Sequence, residues 1–518
     1  MYQALLTRRY LTHKIMPLLS AGAVMLCVLM VLVVWSVMGG FLDMLLRSGR
    51  TLMGDVSVTW PTVGFAHADD LIDRLERDPA VHAATPIIET FGIIHLPDGR
   101  ASGVWISGIE PSSYSDVTGY ASALWWKKLD EPLPRDTGRD DWRLGDPDDM
   151  PGFWDQVYRQ GLSLTKPDPE TGEPRPAAVL GIEVTDFNVR EPGGWYTPGQ
   201  WSIRTESGMR TASQGHFILA HSVTLSVLPL SQGGRAVDLV SRSFPVANEL
   251  KTGVFEMDQR RVLVPLATLQ QMLKMDAAER VETDPDHLAV VIDPETGAER
   301  FEPARVVARV PARVTGVLVR AVEGVAPERL KERVREVYAG FAADHRGEVP
   351  RSAGVQTWKE NQATMVAAVE KETILVLFIL GVISVVASAL ILAIFWSMVN
   401  EKTKDIGVLR ALGASRAGIA WLWLRYGLVI GLIGSVLGVG LATLMVWYIN
   451  PIHDWLGRAL GVQVWNPEIY YFTLIPNEVD PRHALLVFGC GVFFSVAGAL
   501  LPAVRAANMD PVRALRFE

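Results

Sequence analysis

The sequence predicts a membrane α-helical protein with four transmembrane helices and a large α+β extracytoplasmic domain inserted between helices 1 and 2. Three observations lead there. Hydrophobic residues make up 49% of the chain but are unevenly spread, concentrated in four runs at residues 15–42, 373–399, 426–452 and 484–504. Each reaches the roughly 20 residues that a helix rising about 1.5 Å per residue needs to cross a hydrocarbon core. The stretch between the first two runs, residues 43–357, is polar, proline-rich and mildly acidic, and far too long to be a loop. Basic residues then fix the orientation. Arg8, Arg9 and Lys14 flank the first run, Lys402, Lys404, Arg410 and Arg416 lie between the second and third, and Arg505, Arg513 and Arg516 follow the fourth. The longer connection between the third and fourth holds only Arg458 and Arg482. By the excess of Lys and Arg on cytoplasmic loops, both termini and the second connection are expected inside the cell and the large domain outside.

Taken in order, residues 1–16 form the cytoplasmic N-terminus and 17–42 the first membrane helix. Its basic start is like that of a secretion signal. The apolar run is too long for one, however, and no small-x-small cleavage site follows, so it is expected to stay as a span. Pro17 suits the first helical turn. In the extracytoplasmic domain, residues 43–357, alternating patterns predict strands at 55–60, 81–88, 92–96, 104–109, 178–184, 201–205, 217–227, 261–264, 288–292 and 314–322. Helices are expected at 68–77, 266–274 and 328–341, and the mixture suggests two subdomains. Residues 112–176 break this pattern as an insertion rich in Pro, Asp and Trp. Asp146, Asp148 and Asp149 offer oxygen ligands of the kind calcium takes, but without the spacing of a calcium-binding loop, so a solvated loop is the reading adopted.

Residues 358–400 read as a stalk continuous with the second span, because Trp358, Gln362, Met365 and Val369 recur at steps of three and four. Residues 401–416 follow as a short charged helix with Ile406, Leu409 and Arg410 on one face and Lys402 beside them. Such a segment reads either as a contact for a soluble partner or as an ordinary solvated loop. The third span, residues 417–449, carries Gly427, Gly431, Gly434 and Gly438, a spacing that lets helices approach closely; Ser384 and Ser388 of the second span offer a matching small face. Arg425, next to Trp421 and Trp423, is expected to snorkel to the headgroup layer. A periplasmic loop at 450–483, the fourth span at 484–505 and a cytoplasmic tail at 506–518 complete the chain.

Several function classes are excluded or unsupported. A net charge of −8 with no basic tract argues against nucleic acid as a partner. Cys27 and Cys490 both sit in apolar runs, so no disulfide framework and no zinc spacing exist, and no metal site is expected. His216 and His221 fall on opposite faces of a predicted strand. The chain has no GxxxxGK[ST], no Gly-Lys dipeptide, no HExxH and no GxSxG, so no catalytic residue is assigned, and any ATP used must be bound by another chain.

The segment EKTKDIGVLRALGAS, residues 401–415, resembles the stretch after the second membrane helix in the FtsX-like permease domain of ABC transporters. SVMGGF at 36–41, KTGVFEMDQRRVLVPLATLQQML at 251–273, IYYFTLIPNEVDPRH at 469–483 and LPAVRAANMDPVRALRFE at 501–518 narrow the likeness to lipoprotein-releasing permeases of the LolC/LolE type, within the MacB-like superfamily. The resemblance implies a non-catalytic subunit of the bacterial inner membrane that pairs with a second permease chain, identical or different, and with an ABC ATPase dimer. ATP and Mg would sit on that ATPase, and this chain would bind no cofactor. Glu401, Lys402, Lys404, Asp405, Ile406, Leu409, Arg410, Gly413 and Ala414 would seat in the ATPase groove. Motion transmitted through the membrane would then pass a lipoprotein from the outer leaflet of the inner membrane to a periplasmic carrier. By the same resemblance Val37, Met38, Phe41, Leu42 and Leu45 would line the face where lipid is admitted; plain lipid contact or helix packing is the equal alternative. The second functional reading is an FtsX/MacB-like permease that exports another amphiphile or drives a periplasmic partner such as a cell-wall hydrolase. A membrane-anchored extracytoplasmic enzyme or sensor would need convergent titratable groups within residues 50–357, and the sequence suggests none.

Overall fold

Apolar strand residues that are buried on both sides demand cover on both sides, and this governs the large inserted domain. The computed structural model describes residues 15–50, 52–127, 152–191, 195–198, 201–205, 208–212, 218–230, 238–281, 290–292, 299–301, 306–460, 475 and 477–515. Contacts divide the chain into two units: one of residues 1–45, 364–466 and 474–518, the other of residues 46–363 with 467–473. Each is described by itself.

In the second unit nine strands form one mixed sheet. They are β1 (Val56–Thr59), β2 (Val81–His95), β3 (Ala101–Ile109), β4 (Ala178–Gly181), β5 (Ser222–Val227), β6 (Val240–Leu250), β7 (Arg261–Pro265), β8 (Gly316–Ala321) and β9 (Gly354–Thr357). Their spatial order is β5-β6-β4-β7-β3-β2-β8-β1-β9. The β6/β4 and β7/β3 pairs are parallel, the others antiparallel. The long strand β2 serves two partners on one edge: its first half pairs with β8 (Ile87 opposite Gly316) and its second with β5 (His95 opposite Thr224). The β5 pairing closes six strands into a ring.

The alternation of side chains along a strand sorts the core into two layers. Val262, Val264, Val317 and Val319 face one layer with helices Ala68–Glu76 and Pro327–Asp344. Leu263, Val179 and Leu318 face the other with Tyr114, Tyr120 and Leu124. Strands covered on both faces read as continuous apolar runs, which is why residues 262–264 and 317–319 lack a polar alternate. The two expected strands at 81–88 and 92–96 are one strand of 15 residues. Contacts keep residues 46–363 in one unit, and among the described residues both layers share the sheet.

The insertion expected at residues 112–176 carries helices where it is described. Helices Pro111–Val117, Tyr120–Ala123 and Phe153–Ser163 supply buried Tyr114, Tyr120 and Val157, and the stretch after the second of them supplies buried Trp126. Trp126 N–H donates to Asn248 Oδ1 at 3.1 Å, and Trp125 N–H donates to the Glu249 carbonyl at 2.8 Å, so this segment is docked on β6. Its aromatic residues belong to the core, whereas its acidic run, with Asp146, Asp148 and Asp149, lies outside the described residues, as does His216.

Among the described residues, the other unit holds four helices long and apolar enough to cross a membrane: Leu18–Leu42, Glu370–Glu401, Arg416–Trp447 and Pro481–Ala507. The protein is therefore a four-span chain with an α+β domain between the first and second spans. The stalk does not run unbroken into the second span. Thr357 caps the single turn Trp358–Asn361 through a reciprocal capping box with Glu360, and a new helix, Ala363–Glu401, starts after Gln362. The side chains of Met365 and Val369 lie outside the described residues. The connection after the third span opens with a helix, Ile449–Leu460, and Asn450 fastens it by two hydrogen bonds to the Ile475 backbone, at 2.9 and 3.0 Å.

Candidate functional site

The segment between the second and third spans is built from its own sequence. Lys402 ends the long helix with its backbone at φ −98°, ψ 13°, and a helix of nine residues, Thr403–Ala411, turns off from it. Thr403 Oγ1 ties the turn by donating to the Asn400 carbonyl at 2.7 Å, and Lys402 Nζ meets Asp405 Oδ2 at 3.0 Å. Gly413 stops the helix at φ +96°, a conformation that costs a side-chain-bearing residue but not glycine. Ser415 then caps the third span, its Oγ accepting from Gly418 N–H at 3.1 Å. The run Gly-Ala-Ser is thus a stop, a spacer and a start.

Burial decides which face is available. Ile406 is 3% exposed and packs in the membrane unit's core with Val399, Ile419 and Ala506. Leu409, Arg410, Lys402 and Ala414 are half-buried, while Glu401, Lys404, Asp405 and Gly413 are exposed. The expected contact face of Ile406, Leu409 and Arg410 is therefore turned largely inward, because an amphipathic helix lays its apolar stripe on the bundle. Two residues that the sequence reading passed over stand out instead: Val408 is 46% exposed and Leu412 is 81% exposed. Spaced by four, they share a side of the helix. The C-terminal helix Pro511–Leu515 packs against this helix and adds Val512, 64% exposed.

The glycines of the third span mark close helix approach. A Cβ at Gly427 would lie 2.7 Å from Ala499 Cβ, and one at Gly431 would lie 2.9 Å from Ser495 Cβ, both on the fourth span. At Gly434 it would meet Val24 Cβ at 2.7 Å, and at Gly438 the Met25 carbonyl at 2.8 Å, both on the first span. The third span therefore uses successive glycines for two different neighbours. Ser384 and Ser388 do not face these glycines. Ser388 Oγ donates to the Phe494 carbonyl at 3.3 Å, and Ser384 Oγ lies 3.4 Å from Cys27 Sγ. Trp423, expected near the headgroups, is 7% exposed and packs edge-on to Phe395 and Tyr426, whereas Trp421 is open and Arg425 half-buried.

The first, second and fourth spans line a partly open apolar cavity of about 200 Å³, bordered by Cys27, Val31, Trp35, Leu380, Ser384 and Phe494 among others. Both cysteines are free. Beyond the cavity, Val37, Met38 and Leu42 are half-buried and Phe41 is 5% exposed, so these residues do not form one open face. The side chain of Leu45 lies outside the described residues.

In the α+β domain the strongly shifted acids are interior. Burial pushes the Glu249 carboxyl up to about 8 although Trp126 Nε1 and Asn188 Nδ2 donate to it at 2.7 and 2.9 Å. Burial likewise raises Asp258 to about 7 against three hydrogen bonds from Thr252 and Gly253. An open polar cleft of about 750 Å³ includes Asp55, His82 and Arg320, but Asp55 Oδ2 accepts from Ala321 N–H and Arg320 donates to the Asp116 carbonyl, so these charges hold loops. Among the described residues, one group, His67, His345 and Glu348, brings three metal-ligating side chains together.

Residues 377–511, which contain the short helix and both flanking spans' packing residues, match the family described as FtsX-like permease C-terminal. This segment is similar to FtsX-like permease domains. Curated relatives extend the likeness. The chain is 30% identical over 203 residues to the lipoprotein-releasing system transmembrane protein LolC of Neisseria meningitidis serogroup B, covering 39% of this chain and 49% of that one. It is 33% identical over 134 residues to the corresponding LolE of Haemophilus influenzae, covering 25% and 30%. It is 27% identical over 199 residues to the macrolide export ATP-binding/permease protein MacB of Wolinella succinogenes, covering 37% and 26%. The matches span about half the length, or less, of these relatives.

Proposed function

We propose that this chain is the permease subunit of an inner-membrane ABC transporter that releases lipoproteins from the outer leaflet of the inner membrane, its work supplied by a separate ATPase dimer carrying ATP and Mg. The observation that carries the reading is the braced nine-residue helix of the FtsX-like domain, which offers Val408 and Leu412 to a soluble partner amid the charges of Lys404 and Asp405. An apolar pair ringed by charge is the usual form of a docking surface. The helix is continuous in packing with helix Ala363–Glu401, which contains the second span and whose 39 residues reach about 58 Å, so a push on one end is delivered across the bilayer. Anchoring acyl chains are held by about 0.8 kcal/mol per methylene, which explains why release needs an ATPase.

In this reading residues 401–416 and both termini are cytoplasmic, the α+β domain is periplasmic, a second permease chain completes the complex, and a periplasmic carrier receives the cargo. Similarity to the LolC and LolE chains supports lipoprotein as the cargo. Similarity to a MacB chain favours the second reading, export of a different amphiphile or action on a periplasmic partner. Depletion separates them. The first reading expects mature lipoproteins to accumulate in the inner-membrane fraction; normal sorting to the outer membrane after depletion rejects it.

A further inference from the structure

The α+β domain brings a cluster of metal-ligating side chains together at the ends of two helices. His67 stands immediately before helix Ala68–Glu76 in the left-handed conformation, φ 60°, ψ 34°, and makes no side-chain capping bond. His345 caps the far end of helix Pro327–Asp344, and Glu348 follows in the next turn. The two imidazoles stack with centroids 4.2 Å apart and planes inclined by 17°. His67 Nε2 lies 2.5 Å from Glu348 Oε2, and His345 Nε2 lies 2.9 Å from Asp70 Oδ2. One ligand atom from each of His67, His345 and Glu348 falls within 4.8 Å of the other two. The side chains of His67 and His345 are 28% and 23% exposed, so an ion reaches them from solvent without unfolding.

We propose that His67, His345 and Glu348 form a binding site for one divalent transition-metal ion of the zinc class, with Asp70 as the outer carboxylate that orients His345. Two imidazoles and a carboxylate are the donor set of borderline ions and not of calcium or magnesium, which take oxygen ligands. Ligand atoms about 2 Å from a tetrahedral ion stand roughly 3.3 Å apart, so closure from the present spacing needs side-chain rotation and little backbone movement. Asp70 holds Nε2 of His345, which leaves Nδ1 as its donor to the metal; a carboxylate behind a ligating histidine fixes its ring and strengthens it. Asp70 is itself held by Arg74 at 3.0 Å, and Arg74 reaches Asp344 at 2.7 Å, so the outer partner is anchored to both helices. The ion would staple residue 67, near the start of the domain, to residues 345 and 348 near its end.

The test uses the full-length chain in detergent, purified through a tag without histidine, stripped with chelator and offered Zn²⁺ or Co²⁺. One equivalent of zinc is expected to survive desalting, and Co²⁺ is expected to give the visible absorption of a four-coordinate histidine-ligated site. His67→Ala with His345→Ala, and separately Glu348→Gln, should each lower affinity at least tenfold. Hydrogen exchange at residues 327–345 should slow on zinc addition in the parent chain and stay unchanged in the double variant. These variants keep the rest of the fold, which unchanged exchange over residues 240–250 verifies. No retained zinc in the parent chain, or equal retention in the double variant, overturns the site. Neither result bears on the transport reading, which rests on the membrane unit.

Discussion

Gly434 shows how a single missing methyl sets helix spacing. Its hypothetical Cβ would lie 2.7 Å from Val24 Cβ and 2.8 Å from the Ala21 carbonyl, both on the first span, so there is no room for a side chain unless two helices part. Gly434→Leu is expected to cost about 1–3 kcal/mol of overpacking, read as a lowered thermal midpoint of the detergent-solubilised chain. Gly440 has nothing within 4 Å of its Cβ position, so Gly440→Leu should leave the midpoint unchanged; equal loss in both variants would show that close packing at Gly434 is not responsible. Glu249 makes a different residue-scale prediction. Its folded value of about 8 stands above the ordinary 4.5, because burial disfavours the charged form more than its two donors restore it. A raised acid contributes stability that is complete below the unfolded value and is lost as pH rises toward the folded one, since unfolding in that window releases a proton. Asp258, raised from 3.8 to about 7, acts in the same sense. Protection of strand β6 against hydrogen exchange, corrected for intrinsic rate, should therefore weaken from pH 5 to pH 8, by on the order of 1 kcal/mol per pH unit for Glu249, with Asp258 adding to the slope only up to about pH 7. Glu249→Gln should flatten part of that slope whatever it does to the absolute level.

At the scale of elements, the short helix Thr403–Ala411 carries the functional argument, and its orientation could be read only partly from the sequence. Charge density and the Gly-Ala-Ser ending were visible as letters. Which apolar residues point outward was not, because Ile406, Val408, Leu409 and Leu412 offer two overlapping three- and four-residue spacings, and only the packed neighbours choose between them. Ile406 goes to the core with Ile419 and Ala506, and Val408 and Leu412 are left outside. The same limit applied to the glycines. Their spacing announced close contact, but not that Gly427 and Gly431 serve the fourth span while Gly434 and Gly438 serve the first. The docking surface predicts a graded result. Val408→Glu and Leu412→Glu place a charge where a partner groove would exclude water, and each should weaken co-purification of the ATPase by about 2 kcal/mol, or roughly 30-fold. Ile406→Glu is expected to reduce the amount of folded permease itself, since Ile406 is 3% exposed. Retained ATPase with both exposed residues changed would move the docking surface off this helix.

For the whole molecule, four spans and an inserted α+β domain were legible because span length and strand alternation are local properties of the chain. The closure of β2 onto both β8 and β5, and the docking of Trp125 and Trp126 on β6, join residues more than a hundred positions apart and leave no local mark. Orientation is different again, since it is set by the membrane and not by packing. Arg505 of the fourth span lies with its guanidinium 4.0 Å from the ring centre of Trp396 at the end of the second span, so these two helix ends share one side of the bilayer with the helix that follows Glu401. The basic residues Lys402, Lys404, Arg410 and Arg416 belong to that same end, and their number favours the cytoplasm. Single cysteines introduced at position 404 and at position 323 of a Cys27→Ser, Cys490→Ser background should therefore label oppositely with a membrane-impermeant maleimide. In intact spheroplasts position 323 should react and position 404 should react only after permeabilisation. Labelling of position 404 from outside would place the proposed docking helix where no cytoplasmic ATPase can reach it, and with it would go the transport reading built on that helix.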